Sequence, residues 1–212
     1  MKGLWTIVVL GVVFVSGCYE SYQNYGDGRD SFPVVTCEVA VTTNALDGAT
    51  ITIDGESVGD VARDITVELA MGRHTFAASA VGYFQASKVV EVTRECEPVE
   101  LRLLPNLNGW YNLVLYNRSY YRFVLQIRQD ENSEVLAADD WREGSPTSEH
   151  PHEHFSGTVS FDREVHLLSL GSPRTEFWGE WTPPRGGGVA RIEGAYDYIS
   201  EEGGDWVAES RP

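Results

Sequence analysis

Histidine crowds one short stretch of this chain, His150-Pro151-His152-Glu153-His154. Side chains at alternate positions of an extended segment project to one side. His150, His152 and His154 could therefore converge on Zn²⁺ or Cu²⁺, with Glu149 or Glu153 completing the donor set. Only neutral imidazole binds a metal, so such a site would weaken below about pH 6.5. The surrounding stretch, residues 143–153, is polar and carries Gly144, Pro146 and Pro151. It reads more simply as a solvated loop.

Other catalytic chemistry lacks its residues. No serine sits in a nucleophile elbow, no cysteine-histidine arrangement suggests thiol catalysis, and no His-Glu-x-x-His segment is present. Gly186-Gly187-Gly188 is followed by neither a lysine nor a helix start, so it is no phosphate cradle. Acidic residues abound, but abundance without a placed pair is no sign of glycoside chemistry. The sequence predicts no catalytic residue, no cofactor and no enzyme.

Aromatic side chains offer the remaining chemistry. Trp110, Tyr121, Trp178 and Trp181, with Tyr120 and Trp141 beside them, could line a ligand cavity or stack on a sugar ring. They would serve equally well as core. A one-residue slip in strand register inverts every side chain, so sequence leaves their facing open.

A formal net charge of −16 argues against nucleic acid, whose phosphates demand clustered Lys and Arg. The acidity suits a solubilising surface. No Asp-x-Asp-x-Asp-Gly ladder offers a hard cation several oxygens at once.

The elements that must position these residues begin with a leader. Lys2 precedes 13 nearly all apolar residues, 3–15, the layout of a secretory signal. As a helix that run falls short of a ~30 Å hydrocarbon core, which excludes a permanent span. Val15-Ser16-Gly17-Cys18 resembles the bacterial lipobox. The resemblance implies cleavage after residue 17, diacylation of Cys18, and a lipid-anchored protein of the cell envelope. In that family's sorting pattern an Asp after the cysteine favours the inner membrane, so Tyr19 implies the outer membrane of a two-membrane cell. Residues 18–33 read as a lipidated tether, because 20–31 are rich in Tyr, Gly, Asn, Asp and Ser without apolar periodicity.

Residues 34–104 alternate apolar and polar positions, as in Cys37-Glu38-Val39-Ala40-Val41 and Ile65-Thr66-Val67-Glu68-Leu69, with Asp-Gly turns between. That pattern predicts a small antiparallel β-sandwich. Ala49 to Gly59, then Leu69-Ala70-Met71-Gly72-Arg73-His74, then Gly82-Tyr83 resemble in order the segments of a PEGA domain. The resemblance implies an accessory envelope module that works by surface interaction. With Cys18 acylated, Cys37 and Cys96 remain in an oxidising compartment, and a disulfide is the natural outcome, worth about 4 kcal/mol for so long a loop. Two buried free thiols are the alternative.

Beyond Pro105, residues 105–212 carry seven strand-like segments: 110–115, 121–128, 155–161, 165–170, 177–181, 189–194 and 206–208. Several set an aromatic or aliphatic residue beside a glycine, as barrel corners require. Asn108-Gly109-Trp110-Tyr111-Asn112 and Trp206 resemble the opening and closing of a calycin barrel of the lipocalin or avidin type. The sequence thus predicts an all-β protein, a sandwich followed by a second antiparallel domain, an up-and-down barrel, with a second sandwich as the alternative. Its expected role is non-catalytic binding of an envelope protein or polysaccharide, with small-ligand binding in the barrel as the alternative.

Overall fold

Among the described residues every element is a β-strand, and the alternation of buried and exposed side chains along most of the longer ones shows why. The structure, a computed structural model, describes residues 18–21, 34–59, 63–116, 120–131, 133–142, 153–171, 174–198 and 201–211. The first unit comprises β1 (Cys18–Ser21), β2 (Val34–Thr43), β3 (Thr50–Ile53), β4 (Glu56–Ser57), β5 (Asp64–Ala70), β6 (Gly72–Ser79), β7 (Ala86–Val92) and β8 (Val99–Leu101). In β2, Cys37, Val39 and Val41 are buried while Glu38 and Thr42 face solvent. The strands form two sheets. In one, β2 pairs with β5 along one edge and with β1 and then β8 along the other; the second has the order β4-β3-β6-β7. One pairing departs from the expected antiparallel pattern, since β8 runs parallel to β2 with Val41 opposite Val99.

Turn chemistry explains the hairpin of β3 and β4. Asp54 and Gly55 both take positive φ, 52° and 87°, the combination a tight two-residue turn requires. The Asp54 carboxylate then accepts from the Thr75 amide at 2.8 Å and lies 2.7 Å from His74 Nδ1. His74 Nε2 meets the Ala70 carbonyl at 2.9 Å. An imidazole with an acceptor at each nitrogen is best served by carrying both protons. Cys37 and Cys96 bring their sulfurs to 2.06 Å, at disulfide distance, with Cα atoms 5.7 Å apart. Cys96 lies in the turn after β7 rather than in a strand, its amide bonded to the Thr93 carbonyl.

The start of the chain also differs from expectation. Residues 18–21, read as the head of a tether, form β1 on the edge of β2, with Cys18 opposite Cys37.

The second unit is a closed antiparallel barrel of eight strands: β9 (Gly109–Tyr116), β10 (Tyr120–Gln129), β11 (Val135–Arg142), β12 (Glu153–Val159), β13 (Glu164–Ser169), β14 (Thr175–Thr182), β15 (Arg191–Tyr198) and β16 (Glu201–Ser210). Each strand pairs with the next, and β16 returns to β9. The alternative of a second sandwich is thereby excluded. Strand β11 is the one that sequence periodicity missed. Its acidic pair Asp139-Asp140 breaks the apolar pattern, yet both residues are buried.

Glycine inside the barrel has a packing reason. Gly179 and Gly194 are cross-strand partners, and Gly194 also faces Trp206 on β16. A Cβ at Gly179 would lie 2.8 Å from Trp206 Cζ2, and one at Gly194 1.9 Å from the Trp178 carbonyl. Gly179 leaves room that the Trp206 indole occupies, and Gly194 lets β15 approach the Trp178–Gly179 backbone closely. Phe155, Phe177, Tyr196 and Trp206 then pack as one aromatic cluster, with centroid separations of 5.4–5.7 Å. The barrel centre is a packed core.

One end of the barrel is sealed by the first unit. Leu103, Leu104 and Leu107 of the connecting segment are buried. Gln129 pins that segment, accepting from the Leu107 amide at 2.9 Å and donating to the Pro105 carbonyl at 3.1 Å. Asn44 donates to the Leu103 carbonyl at 3.0 Å and to the Phe161 carbonyl, in the β12–β13 turn, at 2.7 Å. Tyr83 meets Trp181 edge to face, with centroids 5.0 Å apart. Buried residues of both units form one continuous core.

Two predictions follow from these contacts. Gly82 has φ of +79°, and a Cβ there would lie 2.9 Å from Pro184 and 3.0 Å from Trp181. Gly82→Ala is expected to cost about 1–3 kcal/mol, and calorimetry should show one transition, for both units together, moved to lower temperature. The second concerns pH. The Thr75 amide and His74 hold Asp54 below its ordinary value of 3.8. Burial pushes His74 down, but the bonds to Asp54 and Ala70 outweigh it and raise the net value above 6.5. The Asp54 contribution is present above pH 3.8 and lost as pH falls through its lower folded value. The His74 contribution is complete below pH 6.5 and lost as pH rises through its higher folded value. The pair therefore stabilises most between the two ordinary values, and His74→Gln should flatten the loss of melting temperature that the wild type shows on going alkaline of pH 6.5.

Candidate functional site

Strand parity decides what the histidine stretch can do. In β12, Glu153 is the register partner of Asp140 and shares its inward face, while His154 partners Asp139 on the outside. His154 Nδ1 lies 2.5 Å from Asp139 Oδ1, and the Arg128 guanidinium binds the other oxygen of the same carboxylate. Asp139 is buried despite facing outward, and its two cationic or donor partners account for that. Glu153 accepts instead from the Ser169 hydroxyl, inside the barrel. Glu153 and His154 are thus committed to opposite faces and do not form one donor set. Glu149, His150 and His152 lie outside the described residues. Among the described residues no group of three His, Cys, Asp or Glu side chains is placed to hold a metal.

Parity also separates the predicted aromatics. Trp178 and Trp181 are three residues apart on β14 and so face opposite ways. Trp181 is fully buried at the sealed end, whereas Trp178 is 43% exposed on the outer wall. Trp110 precedes the inward Tyr111 and is 42% exposed, also outside. A shared cavity lined by Trp110, Trp178 and Trp181 is therefore corrected by the register. The Tyr121 backbone lies opposite Leu115, but its side chain, like those of Tyr120 and Trp141, is outside the described residues. Burial raises the Tyr111 phenol above its ordinary range, as suits a core residue that stays protonated.

The structure brings together polar residues that sequence reading did not single out. At the barrel end away from the first unit, the inward faces of β11–β14 carry Asp140, Glu153, Ser169 and Thr175 on four consecutive strands. Ser169 links to Glu153 and also accepts from the Gly171 amide at 3.2 Å. The Thr175 hydroxyl is buried without a hydrogen-bond partner among the described residues. Phe155 and Phe177 form the floor beneath them. Acidic residues at the strand ends were the available signal, but only the register tells inward from outward.

Two of the surface depressions among the described residues carry aromatic side chains. A cleft of about 650 Å³ lies between the units beside Tyr83, Val81 and Pro184, spanned by the Arg185–Asp47 ion pair at 3.0 Å. A groove of about 450 Å³ lies on the outer wall beside His166 and Trp178, whose rings stack at 5.6 Å and 10°. Comparison of the chain with protein families, with curated proteins and with solved structures finds no match, so these sites are judged on their own chemistry.

Proposed function

We propose that this chain is a lipid-anchored envelope protein that works as a non-catalytic binding module, through the surface of its barrel rather than an internal ligand cavity. The observation that carries this reading is the packed barrel centre, where Trp206 lies against Gly179 and packs with Phe177 while two tryptophans stand on the outer wall. Filling the interior removes the space a calycin-type ligand needs, and exposed aromatics are the common anchors of binding surfaces.

Anchoring rests on the lipobox resemblance at Val15-Ser16-Gly17-Cys18. Two acyl chains on Cys18 give stable attachment where one is marginal. Because β1 is bonded to β2, the anchor would hold the first unit at the bilayer rather than at the end of a free tether. Metabolic labelling with a fatty-acid probe should mark the wild type and leave Cys18→Ala unlabelled. A labelled Cys18→Ala protein would overturn the anchor.

Small-ligand binding is the second reading, favoured by the buried Thr175 hydroxyl beside Glu153, Asp140 and Ser169 at the barrel end away from the first unit. The surface reading expects no rise in melting temperature when the detergent-solubilised full chain meets lipids or small aromatics. A bound ligand at 100 times its dissociation constant would stabilise by about 2.7 kcal/mol. A shift of that size in a scanning calorimeter would decide for the cavity.

A further inference from the structure

We propose that the groove beside Trp178 on the outer barrel wall is a binding site for an uncharged polysaccharide. The inference rests on the surface-binding reading and names its ligand class.

Beyond its direct neighbours His166 and Ala195, the outward positions around Trp178 carry four carboxylates: Glu164 on β13, Glu176 and Glu180 on β14, and Glu193 on β15. An indole left 43% exposed among them forgoes much of the burial that stabilises a Trp side chain. The ring is nevertheless held in one orientation by the parallel His166 imidazole. On the opposite flank its cross-strand neighbour is Ala195, whose methyl covers little of the indole. A rigid, half-open aromatic face is the complement of the C–H face of a sugar ring.

The groove supplies the polar edge that a sugar also needs. Glu134, Thr158, Ser160 and Glu164 line it with hydroxyl and carboxylate oxygens. His166 Nε2 is buried without a hydrogen bond among the described residues, being 4.0 Å from Glu176 Oε2. It points towards Glu176, which is not among the residues lining the groove, so the imidazole serves the site by stacking on the indole. A volume of about 450 Å³ falls within the usual size of a small-ligand site.

Charge selects among glycans. Two carboxylates line the groove and neither Lys nor Arg does. The nearby Arg163 is bound to Glu180 at 2.7 Å. A uronic-acid or phosphorylated polymer would meet repulsion, and an uncharged one would not.

Native affinity electrophoresis of the full chain in detergent, with dextran, laminarin, glucomannan or alginate in the gel, tests this. At least one of the three neutral polymers should retard the wild type, and alginate should not. Trp178→Ala should weaken the retardation by roughly tenfold or more, and Trp178→Phe should keep most of it. Ala195→Arg, which lays a long side chain beside the indole and removes nothing, should also weaken it, and keeps the test decisive should Trp178→Ala fold poorly. Retardation by no neutral polymer, by alginate alone, or undiminished in both Trp178→Ala and Ala195→Arg would overturn the proposal. Those outcomes leave the Cys18 labelling and the ligand calorimetry unchanged, so failure of the glycan site is separable from failure of the surface-binding reading.

Discussion

Tyr83 and Trp181 meet edge to face, their centroids 5.0 Å apart, and Gly82 stands beside them because a side chain there would strike Trp181 and Pro184. The contact joins two units that would otherwise each need their own closure. A buried tryptophan removes about 200 Å² from water, which is about 5 kcal/mol of apolar stabilisation. Here that indole lies at the mouth of the barrel, so the stabilisation goes to the junction and seals one end. Leu103, Leu104 and Leu107 complete the seal, with Asn44 bonding the backbone of Leu103, the Phe84 amide that of Leu104 and Gln129 that of Leu107. A barrel closed at one end and packed through its middle has only its far rim and its outer wall left for binding.

The packed middle follows from the same economy of space. Phe155, Phe177 and Trp206 face inward from three strands, and eight strands enclose room for little more than such side chains. Gly179 lets the largest of them fit without spreading the wall, and its cross-strand partner Gly194 lets the two backbones come close. Trp178 belongs to the same strand as Phe177 but to the other face. Its own carbonyl accepts from Trp206 Nε1 at 2.9 Å, so the outer platform and the inner core share one hydrogen bond.

Much of the architecture was legible because period-2 alternation is a property of sequence alone. Cys37-Val39-Val41 and Phe155-Val159 announce strands, and Asp54-Gly55 announces its turn with the right φ signs. Strand β11 was hidden because Asp139 and Asp140 are both buried for reasons outside the strand itself: Arg128 and His154 are hydrogen-bonded to the first, and the barrel interior takes in the second. The parallel pairing of β8 with β2 was also invisible, since it depends on where the chain returns and not on local pattern. The site was less legible than the fold. Trp110, Trp178 and Trp181 look alike in sequence, and only the register assigns two to the outer wall and one to the sealed core.

Charge and anchoring bear on how a shallow outer groove could function. A half-exposed indole with a few polar neighbours buries little area, so a single contact there is weak. A repeating polymer and a protein confined to a membrane supply many such contacts at high effective concentration, and avidity then grows without any new interaction. The net charge of −16 works in the same direction. With the chain anchored through Cys18 as proposed, that charge would keep the acidic barrel wall away from anionic lipid headgroups, and the pairing of β1 with β2 would hold the first unit nearest the bilayer. In that arrangement the face that carries Trp178 would be free for ligands beyond the membrane surface.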